Sequence, residues 1–246
     1  MAALGSGFML LMTSLGASVT LVTKKEMNPS LERFLVGFSG GVMLAASVWS
    51  MIIPSLDGNG KLFWLPAAAG IFLGAGLIIL IDALLSRFAL AGEGGEYETK
   101  KRNALLWTAM TLHNIPEGMA VGLLFALSGG VDLAPATALA VCIGIQNFPE
   151  GAALSLPLRK GGMSRGRAAL LGILSGVVEV PAALLSVLAA NFFEGGMKWL
   201  LGFAAGAMIY VTLQEIIPES HDENKAGTVG ALAGFVLMLV CDVAIG

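Results

Sequence analysis

Apolar residues run along this chain in blocks long enough to cross a bilayer, and polar residues gather between the blocks. A helix needs about 20 apolar residues to traverse the hydrocarbon core. Eight stretches meet that length, at residues 2–23, 34–55, 63–88, 103–128, 133–158, 167–190, 197–218 and 226–245. The connections are short apart from Ala91–Asn103, AGEGGEYETKKRN, whose glycines and charges predict a mobile loop. No shift in composition marks a second domain, so residues 1–246 read as one all-α polytopic membrane unit. The first block lacks a basic leader and is followed by further spans, so it reads as a retained helix.

Composition agrees with that pattern. The chain is 56% hydrophobic and 13% charged, where a soluble domain carries roughly 25% charged residues. Its 33 glycines exceed the roughly 17 expected at about 7% usage, which suits closely packed membrane helices. A net charge of −3 gives no reason to expect a nucleic-acid partner. Cys142 and Cys241 both fall in apolar segments and form no disulfide framework.

Charge placement predicts the orientation. The loops after helices one, three, five and seven, with the adjoining helix ends, hold Lys24, Lys25, Arg33, Arg87, Lys100, Lys101, Arg102, Arg159, Lys160, Arg165, Arg167 and Lys225. The opposite side holds only Lys61 and Lys198. Basic residues favour the cytoplasmic side, so both termini are expected outside the cell membrane.

An internal repeat adds to the picture. GFSGGVMLAASVWSMIIP, Gly37–Pro54, resembles GFAAGAMIYVTLQEIIP, Gly202–Pro218, with one residue gapped. These helices, two and seven, cross in opposite directions. Inverted repeats of this kind occur in transporters, with the substrate near the midplane. Two glycine-rich apolar helices can also look alike by composition alone.

Polar residues inside the apolar blocks carry the chemistry. HNIPEG spans His113–Gly118 and QNFPEG spans Gln146–Gly151. On a helix, His113, Asn114 and Glu117 share one face, as do Gln146, Asn147 and Glu150. Glu179 lies near the middle of the sixth block. Three such carboxylates, ionised and unpaired, would cost roughly 9 kcal/mol on the insertion scale. No lysine or arginine lies at that depth in the sequence, so either the glutamates are protonated or a cation partners them. Pro116 cannot donate to the carbonyl of Leu112, nor Pro149 to that of Ile145. Freed carbonyls in lipid are tolerated where they line a cavity or bind an ion. Taken singly, a buried His, a helical Pro or an Asn between helices is commonly structural. Two matching constellations plus Glu179 argue for one shared cation site. Imidazole, carboxylate and amide oxygen suit a borderline divalent ion such as zinc or ferrous iron.

HNIPEGMAVG and QNFPEGAALSLPLR, in the fourth and fifth of eight helices, resemble the signatures of the ZIP (Zrt/Irt-like) divalent-metal transporters, in particular the bacterial GufA-like branch. The resemblance covers nearly the whole chain. It implies eight helices in a 3+2+3 arrangement, with helices 1–3 and 6–8 as the inverted repeat and the metal site between helices 4 and 5. It implies import of a divalent metal into the cytosol by alternating access, helices one, four, five and six sliding against two, three, seven and eight. A first metal position would use His113, Glu117, Gln146 and Glu150, with the thioether of Met43 nearby. A second would use Asn114, Glu117, Asn147, Glu150 and Glu179, so that Glu117 and Glu150 bridge. Asn147 departs from the pattern, in which an Asp can stand, and removes one negative charge. By the same resemblance, Ser50, Asp57 and Asp242 would line the entrance. Asp82, Glu215, Glu219 and His221 would line the exit, with Gln214 where relatives often have His. The loop lacks the histidine cluster of many relatives, and Glu93, Glu96 and Glu98 read as a solvated charge run.

The expected partners are divalent metal ions, zinc first, then cadmium, iron or manganese, and the lipid bilayer; a homodimer is left open. No prosthetic group and no phosphate-binding loop are expected. Two other classes stay open: a proton-coupled carrier or channel for another cation, with the glutamates as a proton relay, and an intramembrane metalloenzyme. Against the enzyme, no general base remains once the ligands are assigned.

Overall fold

The computed structural model describes residues 1–23, 28–58, 61–88, 95–193, 195–221 and 225–245; within these, the side chains of 85–88, 95–102 and 245 are not described. Glu93, Lys24, Lys25 and Gly246 therefore lie outside the described residues. All regular structure among the described residues is helical. In chain order the long helices are α1 (Ala2–Val22), α2 (Pro29–Ser55), α3 (Leu65–Phe88), α4 (Gly95–Leu127), α5 (Ala134–Lys160), α6 (Arg165–Phe192), α7 (Met197–Ser220) and α8 (Ala226–Ile245).

Seven of the eight are long and apolar enough to cross a membrane. The exception is α4. Its middle carries His113, Asn114 and Glu117, and its first turns are ETKKRN, so it has the length but not the apolarity. It also begins at Gly95, whereas the sequence predicts a loop through Asn103. Glu, Lys and Arg are good helix formers and extend the apolar helix outward once the glycines end.

A second departure lies in α6. It is two helices, Arg165–Gly176 and Glu179–Phe192, joined by a turn at residues 177–178. Pro181 has no N–H for the carbonyl of Val177, and three β-branched valines flank Glu179, which weakens the helix there. Glu179 therefore opens the second half-helix instead of sitting inside an unbroken one. A carboxylate at that end faces the positive pole of the helix dipole.

The repeated segments of α2 and α7 share a local irregularity. Each passes into a π-helical turn, Ser47–Ile52 and Thr212–Ile216, just before its Ile-Ile-Pro. The N–H of Ile53 reaches back to Val48 and that of Ile217 to Thr212, five residues each. Pro54 and Pro218 remove the next ordinary donor, which favours such a turn. By contrast, α4 and α5 run as continuous α-helix through Pro116 and Pro149.

Glycine sets which helices touch most closely. A Cβ on Gly37 would lie 2.0 Å from the carbonyl oxygen of Gly227, and one on Gly230 2.0 Å from that of Phe34, so α2 and α8 interlock. Gly74 and Gly206 interlock α3 and α7 in the same way, at 1.9 and 2.0 Å. Gly118 meets the backbone of Glu179, and Gly151 that of Thr13, joining α4 to α6 and α5 to α1. Wherever a described helical glycine touches another helix, both belong to one set, either α2, α3, α7, α8 or α1, α4, α5, α6. The small-residue spacings thus serve close packing within each set.

The loops alternate between two ends. Arg159 of α5 donates to the carbonyl of Thr23 at 2.5 Å, and Arg165 to that of Leu21 at 3.4 Å, so the end of α1 and the α5–α6 connection share one face. Lys198 of α7 bonds the carbonyl of Asp57 at the opposite end.

Candidate metal site

The two signature helices bring their polar faces together at mid-length. His113, Asn114 and Glu117 of α4, Gln146, Asn147 and Glu150 of α5, and Glu179 of α6 are all buried, none more than 6% exposed. The glycine after each motif glutamate lets a further helix pack against its signature helix, Gly118 facing the backbone of Glu179 in α6 and Gly151 that of Thr13 in α1.

A hydrogen-bond network links these side chains. The amide nitrogen of Gln146 donates to Glu117 Oε1 and lies 3.2 Å from Asn147 Oδ1. The amide nitrogen of Asn147 donates to Glu179 Oε1 at 2.9 Å. Thr13 of α1 also approaches Glu179 Oε1, at 3.2 Å. Ser39 of α2 lies against Glu150 Oε1 and 2.6 Å from Gln146 Oε1. Each glutamate therefore has one oxygen bonded to a neutral donor.

The other oxygens have none. Among the described residues, five buried side-chain polar atoms lack a hydrogen-bond partner. Four belong to this site: His113 Nε2, Glu117 Oε2, Glu150 Oε2 and Glu179 Oε2. The fifth is Thr20 Oγ1. The tautomer of His113 follows from its other nitrogen. Nδ1 lies 2.9 Å from the carbonyl of Ala109, which can only accept, so Nδ1 carries the proton and Nε2 a lone pair. An orphaned buried polar atom costs about 1–3 kcal/mol. Four lone pairs left bare at one site are suited to a cation, and a histidine whose second nitrogen is held by a carbonyl is prepared as a ligand.

In this conformation no three of the described His, Cys, Asp and Glu side chains converge on one point as a metal cage does. The amides explain this. Gln146 and Asn147 direct N–H groups at carboxylates that a metal would otherwise draw together. Rotating an amide exchanges its donor for its acceptor end, so the same residues can offer oxygen when a cation arrives.

Asn114 also reaches α6. Its amide nitrogen donates to the carbonyl of Ser175 at 2.8 Å, one of the carbonyls left free where α6 breaks. Met43 is fully buried, and its sulfur lies 3.7 Å from Thr212 Oγ1 of α7. Toward the expected exit, Glu215 Oε2 lies 3.5 Å from His113 Nδ1. Asp82 and His221 are exposed. At the expected entrance, Ser50 donates to Asp242 at 2.8 Å, while Asp57 is exposed.

The surroundings differ on the two sides. Toward Ser50, Met51 of α2, Met208 of α7, Leu123 of α4, and Leu139 and Ile143 of α5 join one buried apolar cluster. On the other side a cavity enclosing about 360 Å³ of empty space, counting what communicates with solvent, is lined by Val36, Ser39, Met110, Glu150, Ala153 and Glu219 among others. Sequence reasoning missed Ser39 and Thr13. Their one signal is position, since Ser39 precedes Met43 by a single helical turn.

Residues 91–242 match the family model described as ZIP Zinc transporter, and this stretch contains both signature motifs, Glu179 and the π turn of α7. The chain belongs to the ZIP zinc-transporter family. Its relatives agree over almost the full length. It is 40% identical to "Zinc transporter GufA" of Myxococcus xanthus, over 95% of this chain and 94% of that protein. It is 38% identical to "Zinc transporter ZIPB" of Bordetella bronchiseptica, over 95% and 78%. It is 32% identical to "Zinc transporter ZIP11" of Homo sapiens, over 100% and 97%. As a ZIP protein the chain is a multi-pass membrane transporter and not an enzyme, which sets aside the intramembrane metalloenzyme.

Proposed function

We propose that this ZIP protein carries zinc into the cytosol through the α4–α5 centre. The observation that supports it most is the set of four bare lone pairs on His113, Glu117, Glu150 and Glu179. His113, Glu117, Gln146 and Glu150 hold the first ion, with Met43 on the scaffold side. Glu179 and Asn147 form the second position with the bridging glutamates. Asn114 then acts chiefly by fixing the break of α6 through Ser175. Cadmium, ferrous iron and manganese are secondary cargoes of the same donor set, since imidazole, thioether and carboxylate span soft to hard.

The architecture in this reading is eight spans in a 3+2+3 arrangement, with α4 crossing despite its polarity because its polar face is buried in protein. Matching π turns in α2 and α7, and the paired interlocks α2–α8 and α3–α7, fit an inverted repeat. Both termini lie outside, in the cell inner membrane. The cavity then opens from the site toward the basic, cytoplasmic side past Glu219, and buried Met51, Leu123, Leu139 and Ile143 pack on the outer side. Alternating access would exchange these two conditions by moving the α1, α4, α5, α6 set against the other.

Zinc uptake in proteoliposomes tests the site. Glu117→Ala and Glu150→Ala should each reduce uptake to background while inserting at wild-type levels. Near-normal uptake by either variant would remove that glutamate from the pathway.

A further inference from the structure

We propose that Ser39 is a positioning residue that promotes release: its hydroxyl holds Glu150 Oε1 and competes with the metal for the ligand oxygen of Gln146. The proposal rests on reading those two residues as ligands. Ser39 is 1% exposed, and its oxygen lies against Glu150 Oε1 and 2.6 Å from Gln146 Oε1. One hydroxyl proton serves two acceptors, so the hydroxyl keeps both acceptors turned toward α2. With its oxygen held there, the Gln146 amide points its nitrogen at Glu117. A metal can take Glu150 through its free Oε2, but to take Gln146 it must turn the amide, whose nitrogen faces Glu117 while its oxygen faces Ser39.

Two further features give the competition a direction. Ser39 also lines the cavity that runs from Glu150 to Glu219, so it stands where the site meets the exit. Its bonds also join the two glycine-locked sets. The contacts Thr13–Glu179, Asn147–Glu179, Gln146–Glu117 and Asn114–Ser175 stay within α1, α4, α5 and α6, and Ser50–Asp242 and Thr212–Met43 stay within α2, α7 and α8. Ser39–Gln146 and Ser39–Glu150 cross between the sets, as does the His113–Glu215 contact. A shift of one set against the other withdraws the hydroxyl and frees the Gln146 oxygen for the metal. The site therefore holds metal more weakly in the conformation seen here, with the cavity at its side, than after the shift. Multi-site transport requires binding weak enough to leave.

The test compares wild type, Ser39→Ala and Glu150→Ala as full-length purified protein, by equilibrium zinc titration and by zinc uptake in proteoliposomes. Removing the hydrogen bond that holds the Gln146 oxygen should tighten zinc binding in Ser39→Ala roughly fivefold. Its KM and its maximal rate should both fall, because release slows. Should Ser39→Ala not fold, Ser39→Gly removes the same hydroxyl and adds no bulk. Unchanged or weaker zinc binding without the hydroxyl overturns the proposal, the weaker case marking Ser39 as support for the bound ion. A Glu150→Ala protein that binds and carries zinc normally overturns the ligand assignment itself, whatever Ser39 does.

Discussion

The amide of Asn147 donates to Glu179 where an Asp could not. A neutral donor thus does part of what a second cation would do. Glu117, Glu150 and Glu179 supply three negative charges against four positive charges for two divalent ions. One tightly held zinc at the His113 position and a weaker one at the Glu179 position follow. Asn147→Asp should add the missing charge, remove the donor and tighten the second position, read as a second dissociation constant in zinc titration. Two equal, tight sites in the wild type would contradict this. That His113, Glu117, Gln146, Asn147, Glu150 and Glu179 gather in the interior was legible because such residues in lipid have few other uses. Ser39 and Thr13 were not, because hydroxyls in such helices commonly bond their own backbone. Ser6, Ser14, Ser18 and Ser47 all do so here, each four residues back.

At the scale of elements, the glycine contacts decide which helices stay together. Gly206→Leu would drive a side chain into the carbonyl of Ile71, 2.0 Å from where its Cβ would stand. The loss should be about 3 kcal/mol or more, seen as a lower melting temperature of the purified protein. Gly76 has no atom within 4 Å of its would-be Cβ, and Gly76→Leu should melt as wild type does. Equal melting of both variants would mean that the α3–α7 contact is looser than described. Helix positions were legible from apolar block length to within a few residues, apart from the start of α4. The break in α6 was not, although Pro181 and the valines around Glu179 were its signal. The π turns were not legible: both copies of the repeat carry one before Ile-Ile-Pro, so the one-residue gap between the copies does not mark them.

For the whole molecule, the alternation of loops between two ends was legible from block count, and the basic bias predicts its orientation. Single cysteines report this directly, in a background where Cys142 and Cys241 are replaced. A cysteine introduced as Ser164→Cys, in the exposed α5–α6 connection, should react with an impermeant reagent only from the cytoplasmic side. Val131→Cys, 94% exposed between α4 and α5, should react only from outside. Reversed labelling would invert both the topology and the direction of transport. The side of the cavity and the way Ser39 crosses between the helix sets could not be read from sequence. They depend on how the helices pack in three dimensions, which neither block length nor motif spacing encodes.

The central claim is that zinc binds on the bare nitrogen of His113 among the glutamates of α4 and α5. X-ray absorption at the zinc edge, on protein loaded with one zinc, tests it most directly. The wild type should show a nitrogen and oxygen shell at about 2.0–2.1 Å with the outer scattering of one imidazole. His113→Ala should lose that imidazole signal and bind zinc more weakly. An imidazole signal that persists in His113→Ala, or a wild-type shell with none, would contradict the account.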